Sequence, residues 1–215
     1  MNYASLLTAV QDYTGNTFAT TDFATMTQLA EQKIYNSVQM PIMRKTSAPT
    51  LSSGVSTVAA PSDFLAPYSF MLTDTNGNVV YLIDKDLSYI KEAYPTTATA
   101  LPKYYAIQGP QSGSELLSQF ILGPTPDAAY TASLVYQYYP TSIVTAGNTW
   151  LGDNFFSVLM NAVLVEAGRY MKTEDDVMKM YVDQYTQSLA LFKNLVDGKL
   201  RQDAYRSGQL RTQVI

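Results

Sequence analysis

The 215-residue chain contains no cysteine and no histidine. Disulfides, thiolate chemistry, imidazole general-base catalysis and His/Cys metal sites are excluded with them. Charge is scarce as well: Asp, Glu, Lys and Arg make up 15% of the residues, against about a quarter in an ordinary globular chain. Ser, Thr, Asn, Gln and Tyr fill the gap, giving a surface that can meet another protein without burying many charges. The net charge of −4 and the lack of a basic patch on the body argue against a protein that holds nucleic acid by neutralising phosphates. Long apolar runs are missing too. The longest, Phe155 to Ala167, carries Asn161 and Glu166 and is too short to cross a bilayer. Met1-Asn2-Tyr3 offers no basic start to a signal peptide, so a soluble protein is expected.

What the chain does have is 47% hydrophobic residues and 17 tyrosines. The first suffices for a sizeable core, and the second leans towards interfaces, where Tyr gives contact area at little entropic cost.

Periodicity divides the chain. Leu6, Leu7, Val10 and Tyr13 lie at helical spacing, ended by Gly15-Asn16. Thr21 or Asp22 is expected to cap a second helix with Phe23, Met26, Ala30, Ile34 and Val38 on one face, closed by Pro41. From Thr46 to Tyr139 short β-type runs follow: 50–51 with 55–58, 68–73, 79–83, 103–108, 119–122 and 132–139. Asp74-Thr75-Asn76-Gly77 is a hairpin turn, and 86–93 a short helix before Pro95. After Gly152 helical spacing returns, with Asp153 or Asn154 as cap and Phe156, Leu159, Met160, Val163, Leu164, Ala167, Tyr170 and Met171 inward. A Lys172-Thr173 joint leads to a last helix capped by Thr173, with a stripe of Val177, Tyr181, Tyr185, Ser188, Phe192 and Leu195 and a C-cap at Gly198. The expected fold is α+β, mainly α: a four-helix core from the N- and C-terminal helix pairs, an inserted small antiparallel β lobe and an extended C-terminal arm. Residues 1–45 with 150–197 would form the helical body, 46–149 the β lobe and 198–215 the arm.

Catalytic signatures are thin. No Gly-x-Ser-x-Gly elbow, phosphate-binding loop or dinucleotide fingerprint is present. Asp63, Glu92, Asp127, Asp153 and Glu166 could in principle supply a glycosidase carboxylate pair, but most occupy turn or cap contexts. Glu166, among apolar neighbours, is expected to pair with Arg169 or Lys172. Glu174-Asp175-Asp176 reads as helix capping rather than a calcium loop. No enzyme, cofactor or metal is expected. Trp150, the single tryptophan, is expected to plug the hinge between β lobe and helices. The C-terminal stretch sets Lys199, Arg201, Arg206 and Arg211 against Asp203; it reads either as a solvated end or as an arm that orders on an acidic partner.

Five segments carry a resemblance: Leu29-Ala30-Glu31-Gln32-Lys33-Ile34-Tyr35, Pro61-Ser62-Asp63-Phe64-Leu65, Ile121-Leu122-Gly123-Pro124-Thr125-Pro126, Trp150-Leu151-Gly152-Asp153-Asn154 and Asp203-Ala204-Tyr205-Arg206-Ser207-Gly208. In this order they resemble the head-to-tail adaptor (connector) proteins of tailed bacteriophages, particularly the short-tailed ones. The resemblance implies a structural virion protein of the neck, made in the host bacterial cytoplasm. It would form a dodecameric ring beneath the portal protein, extend the DNA channel used in genome ejection, and give the tail nozzle protein a platform. DNA would pass without specific binding, and no membrane is involved. The arm would dock on the portal through Arg201, Tyr205, Arg206 and Arg211. An aromatic β lobe that binds or processes carbohydrate is the alternative from another class, and a DNA-binding accessory protein a third.

Overall fold

The computed structural model describes residues 1–38, 40–95, 99–109 and 118–207, with backbone alone for Pro41 and for 197–207. The fold is α+β, with seven α-helices and two sheets among the described residues. It comprises two compact units, one made of Met1–Met40 with the chain from Pro140, the other of Pro41–Tyr139.

In the helical unit, α1 (Tyr3–Thr14) begins where the Asn2 side chain accepts from the Ser5 amide, and ends at Gly15, whose φ of 62° suits a residue without Cβ. Leu6 and Val10 of the expected stripe are buried, whereas Tyr13 is exposed. Helix α2 (Thr20–Ser37) buries Phe23, Met26, Ala30 and Ile34. It starts at Ala19 with no side-chain cap, so neither Thr21 nor Asp22 is the cap. Asp22 instead lies in the first turn and accepts the Tyr170 hydroxyl at 2.7 Å. Two short helices, α4 (Ile143–Ala146) and α5 (Trp150–Asn154), precede α6 (Phe156–Met171). Thr149 caps α5, so Asp153 and Asn154 stand inside a helix rather than at the cap of α6.

Helix α6 is the hub, with α1, α2, α5 and α7 (Asp175–Ser207) packing on it. Burial runs almost unbroken from Val158 to Gly168, so α6 is covered nearly all round rather than amphipathic. Full burial of each Leu or Val there contributes roughly 1.5–3 kcal/mol. Lys172 adopts φ 55°, and the amides of Lys172 and Thr173 return to the Gly168 carbonyl, closing the helix. The Thr173 hydroxyl also donates to Gly168 O, so Thr173 finishes α6 instead of capping α7. A Cβ on Gly168 would lie 3.2 Å from Met178 Sδ and from the Tyr181 ring, which is why the two helices approach so closely there. Along α7, among the described side chains, the buried residues are Tyr181, Phe192 and Val196. Val177 and Leu195 of the expected stripe are exposed.

In the β unit, β9 (Tyr130–Gln137) is central to the first sheet, in the order β1 (Arg44–Ser47), β9, β4 (Ala66–Thr73), β5 (Val79–Tyr81), with β2 (Thr50–Leu51) also on β9. The second sheet runs β3 (Thr57–Ala59), β8 (Gln119–Gly123), β7 (Tyr104–Gln108), β6 (Ile83–Asp84). Period-two alternation sends Phe70, Leu72, Leu134 and Tyr136 of the first sheet towards Tyr105, Phe120 and Leu122 of the second. Phe70 meets Phe120 at 5.2 Å and Tyr105 at 5.5 Å between ring centroids. The other face of the second sheet is covered by α3 (Leu87–Ala93), whose Ile90 packs on Ala106 and Ile121. Asp74 organises the β4–β5 turn by accepting the amides of Asn76 and Asn78, and Gly77 takes the left-handed φ of 84°. Two features differ from expectation. Strand β1 is polar, and β6 pairs with β7 in parallel, so the lobe is not purely antiparallel.

Candidate functional site

The C-terminal stretch singled out in the sequence stands on helical backbone for most of its length. Helix α7 runs through Gly198 to Ser207, so Gly198 is not a C-cap. A glycine inside a helix costs about 1 kcal/mol, which the surrounding Leu, Lys, Arg, Gln and Ala residues, all good helix formers, offset. Arg201, Tyr205 and Arg206 lie on this helix, and Arg211 lies outside the described residues. The 33 residues of α7 span about 50 Å.

Trp150 opens α5 and is part of the helical unit. Its ring stands 5.2 Å from Phe155, which in turn stands 4.5 Å from Phe192 of α7. The three aromatics bind α5 and the start of α6 to α7 by tilted ring contacts.

Between α2 and α7, floored by α6, a cleft of about 300 Å³ is lined by Lys33, Ala162, Val165, Glu166, Arg169, Val182, Tyr185 and Thr186. Glu166 is 8% exposed and its Oε1 accepts from both Arg169, at 3.2 Å, and Lys33 Nζ. A carboxylate this buried persists only when paired. The sequence indicates Arg169, one turn on; Lys33 comes from α2, 133 positions away, and no local rule finds it. Lys172 takes no part in this cluster. Burial pushes the Tyr185 hydroxyl above its ordinary pKa.

Of the other candidate carboxylates, Asp63, Asp127 and Asp153 hold structural partners. Asp63 accepts Tyr136 OH on one oxygen and Lys45 Nζ on the other, both at 2.7 Å. These two donors hold its pKa below the usual value. Asp127 accepts Tyr130 OH at 2.6 Å, and Asp153 accepts Asn148 Nδ2. Glu92 lies in α3. Glu31, which sequence reading passed over, is 2% exposed. It accepts the Ile143 amide at 2.9 Å, joining α2 to α4. Burial raises its pKa against the opposing pull of hydrogen bonds from Ser142 and Ile143. Among the described residues no group of three or more Asp, Glu, Cys or His side chains could hold a metal ion, and no helix is long and apolar enough to cross a membrane.

Exposed apolar surface is abundant. Val177, Met180, Leu191 and Leu195 are exposed along α7. On the β unit Tyr68, Val79, Tyr81 and Ile83 are more than half exposed, with Arg44 stacked 3.8 Å over the Tyr68 ring. Scattered apolar residues are ordinary, but rows of this kind along one helix and over strands β4, β5 and β6 mark interaction surfaces. The chemistry of the described residues is thus that of surfaces, pinned ion pairs and aromatic cores. No curated protein matches the chain. A family model described as SU10 adaptor protein matches residues 1–213, and the chain belongs to that family of bacteriophage head-to-tail adaptors, structural components of the virion.

Proposed function

We propose that the protein assembles as a dodecameric ring beneath the portal protein, extends the channel for DNA and presents a platform to the tail nozzle protein. The observation that carries this reading is the family match along residues 1–213, in a chain whose described surface is rich in exposed apolar side chains. The helical body, with a core drawn from the N- and C-terminal helix pairs α1–α2 and α6–α7, closes the ring. The β lobe faces the nozzle side or neighbouring subunits, and Trp150, expected from sequence at the hinge of the lobe, packs on Phe155 inside the helical body. The C-terminal segment from Gly198 docks on the portal through Arg201, Tyr205, Arg206 and Arg211. An arginine fork suits carboxylate partners, and a tyrosine supplies an amphipathic anchor. Net negative charge keeps DNA from adhering to the channel wall. The protein acts without catalysis and resides in the virion neck.

The test is a truncation after residue 197. It is expected to melt as cooperatively as the full chain yet fail to bind the portal in a pull-down. Undiminished portal binding by the truncated chain would overturn the docking role.

A further inference from the structure

Helix α7 offers two unlike flanks. On one, Val182, Tyr185 and Thr186 form a wall of the cleft that holds Lys33, Glu166 and Arg169. On the other, Met180 is 47% exposed, flanked by the exposed Asp176 and Asp183. At about 100° per residue, Met180 and Val182 point roughly 200° apart around the helix. The knob flank and the cleft flank therefore face opposite sides of the same helical unit.

Their chemistry is complementary. In the cleft two cations converge on one carboxylate oxygen, an excess of one positive charge. Lys33 and Arg169 are 43% and 55% exposed, and Arg169 spends only NH1 on a hydrogen bond among the described residues. Next to them, Ala162, Val165 and Val182 give an apolar wall. The opposite flank places an apolar Met side chain between two carboxylates seven residues apart, roughly 10 Å along the axis, which with the exposed Lys179 beside them leave one negative charge in excess. The cleft floor from Ala162 to Arg169 has the same length, roughly 10 Å.

We infer that the cleft receives the Asp176–Met180–Asp183 flank of a second copy of this chain, Met180 entering the apolar stretch and an aspartate pairing with Lys33 and Arg169. The contact joins unlike surfaces on opposite sides of one subunit, the relation that builds a ring instead of a two-fold dimer. It rests on the ring reading above and assigns its subunit contact. Two copies of an acidic chain repel one another in general, so their contact needs a place where base meets acid, and these flanks supply one.

The absence of native cysteine makes the test direct. Met180→Cys and Thr186→Cys variants are prepared separately, mixed with each other and with the portal, and treated with a short bismaleimide. A cross-linked dimer is expected from the mixture, at least tenfold above either variant alone. Adding Asp183→Lys to the Met180→Cys chain should lower that yield about tenfold. Wild-type protein on the portal, treated with glutaraldehyde, reports the ring independently. A multimer ladder there without a thiol cross-linked dimer in the mixture would overturn this contact and leave the ring standing. No ladder at all would overturn both.

Discussion

The two units solve the problem of a core in different ways. The β unit packs aromatic rings between two sheets, with Phe64, Phe70, Tyr105 and Tyr136 each near Phe120 or one another, and none of its described carboxylates is buried. The helical unit encloses a single helix and buries two carboxylates, Glu31 and Glu166, against it or its neighbours. Burying a carboxylate is costly unless it is paired, so the difference teaches where polar chemistry has been admitted to the interior. The ion pair of the helical unit opens on a cleft, while the β unit's polar contacts tie strands and turns together.

Cutting into the aromatic core should have the largest effect. Phe120 is fully buried, and Phe120→Ala should lower stability by about 3–5 kcal/mol, measured by urea unfolding. A loss below about 1 kcal/mol would mean that the sheets do not depend on this ring. The helical unit can be probed from its charges. Removing both cations with Lys33→Met and Arg169→Met leaves Glu166 buried and alone. A loss of about 2–3 kcal/mol is expected, below the full value for a buried pair because both cations are half exposed. The converse change, Glu166→Met, removes the buried charge itself and should cost about 1 kcal/mol or less. If it proved the more damaging of the two, the carboxylate would be holding the helices rather than being held.

The smallest effects separate the units by pH. The folded-state pKa of Asp63 is lowered, first by its Lys45 hydrogen bond and then by Tyr136. Its stabilisation is present above the ordinary carboxyl range and is lost as pH falls through the folded value. The pKa of Glu31 is raised by burial, so its sign is opposite: its favourable contribution is full in acid and fades as pH rises through the raised value. Asp63→Asn should therefore destabilise at neutral pH and matter little in acid, whereas Glu31→Gln should stabilise at neutral pH and lose that gain in acid. Parallel pH profiles of melting for the two variants would contradict this contrast.

Much of the β unit was legible because alternation is local. The pairs Phe70/Leu72 and Leu134/Tyr136 announce which face turns inward, and Asp74 to Gly77 announces the turn. Strand β1 escaped because Arg44-Lys45-Thr46-Ser47 has no apolar alternation; only its ladder with β9 makes it a strand. The parallel pairing of β6 with β7 is likewise set by a distant partner. In the helical unit the helices were readable, but caps were misplaced where Asp22 accepts from distant Tyr170 and Thr173 turns back to close α6. Arg169 beside Glu166 follows from one turn of helix, and Lys33 does not. The break expected at Gly198 failed because one glycine is a small cost against a long run of good helix formers.

The contrast bears on assembly. An aromatic lobe and a helical unit with two unlike flanks give one chain several distinct surfaces, as the proposed ring requires. The most direct test of the central claim is the native mass of the full chain mixed with its portal protein. A stoichiometric ring of this chain bound to the portal is the predicted result. A persistent monomer beside an intact portal would contradict it.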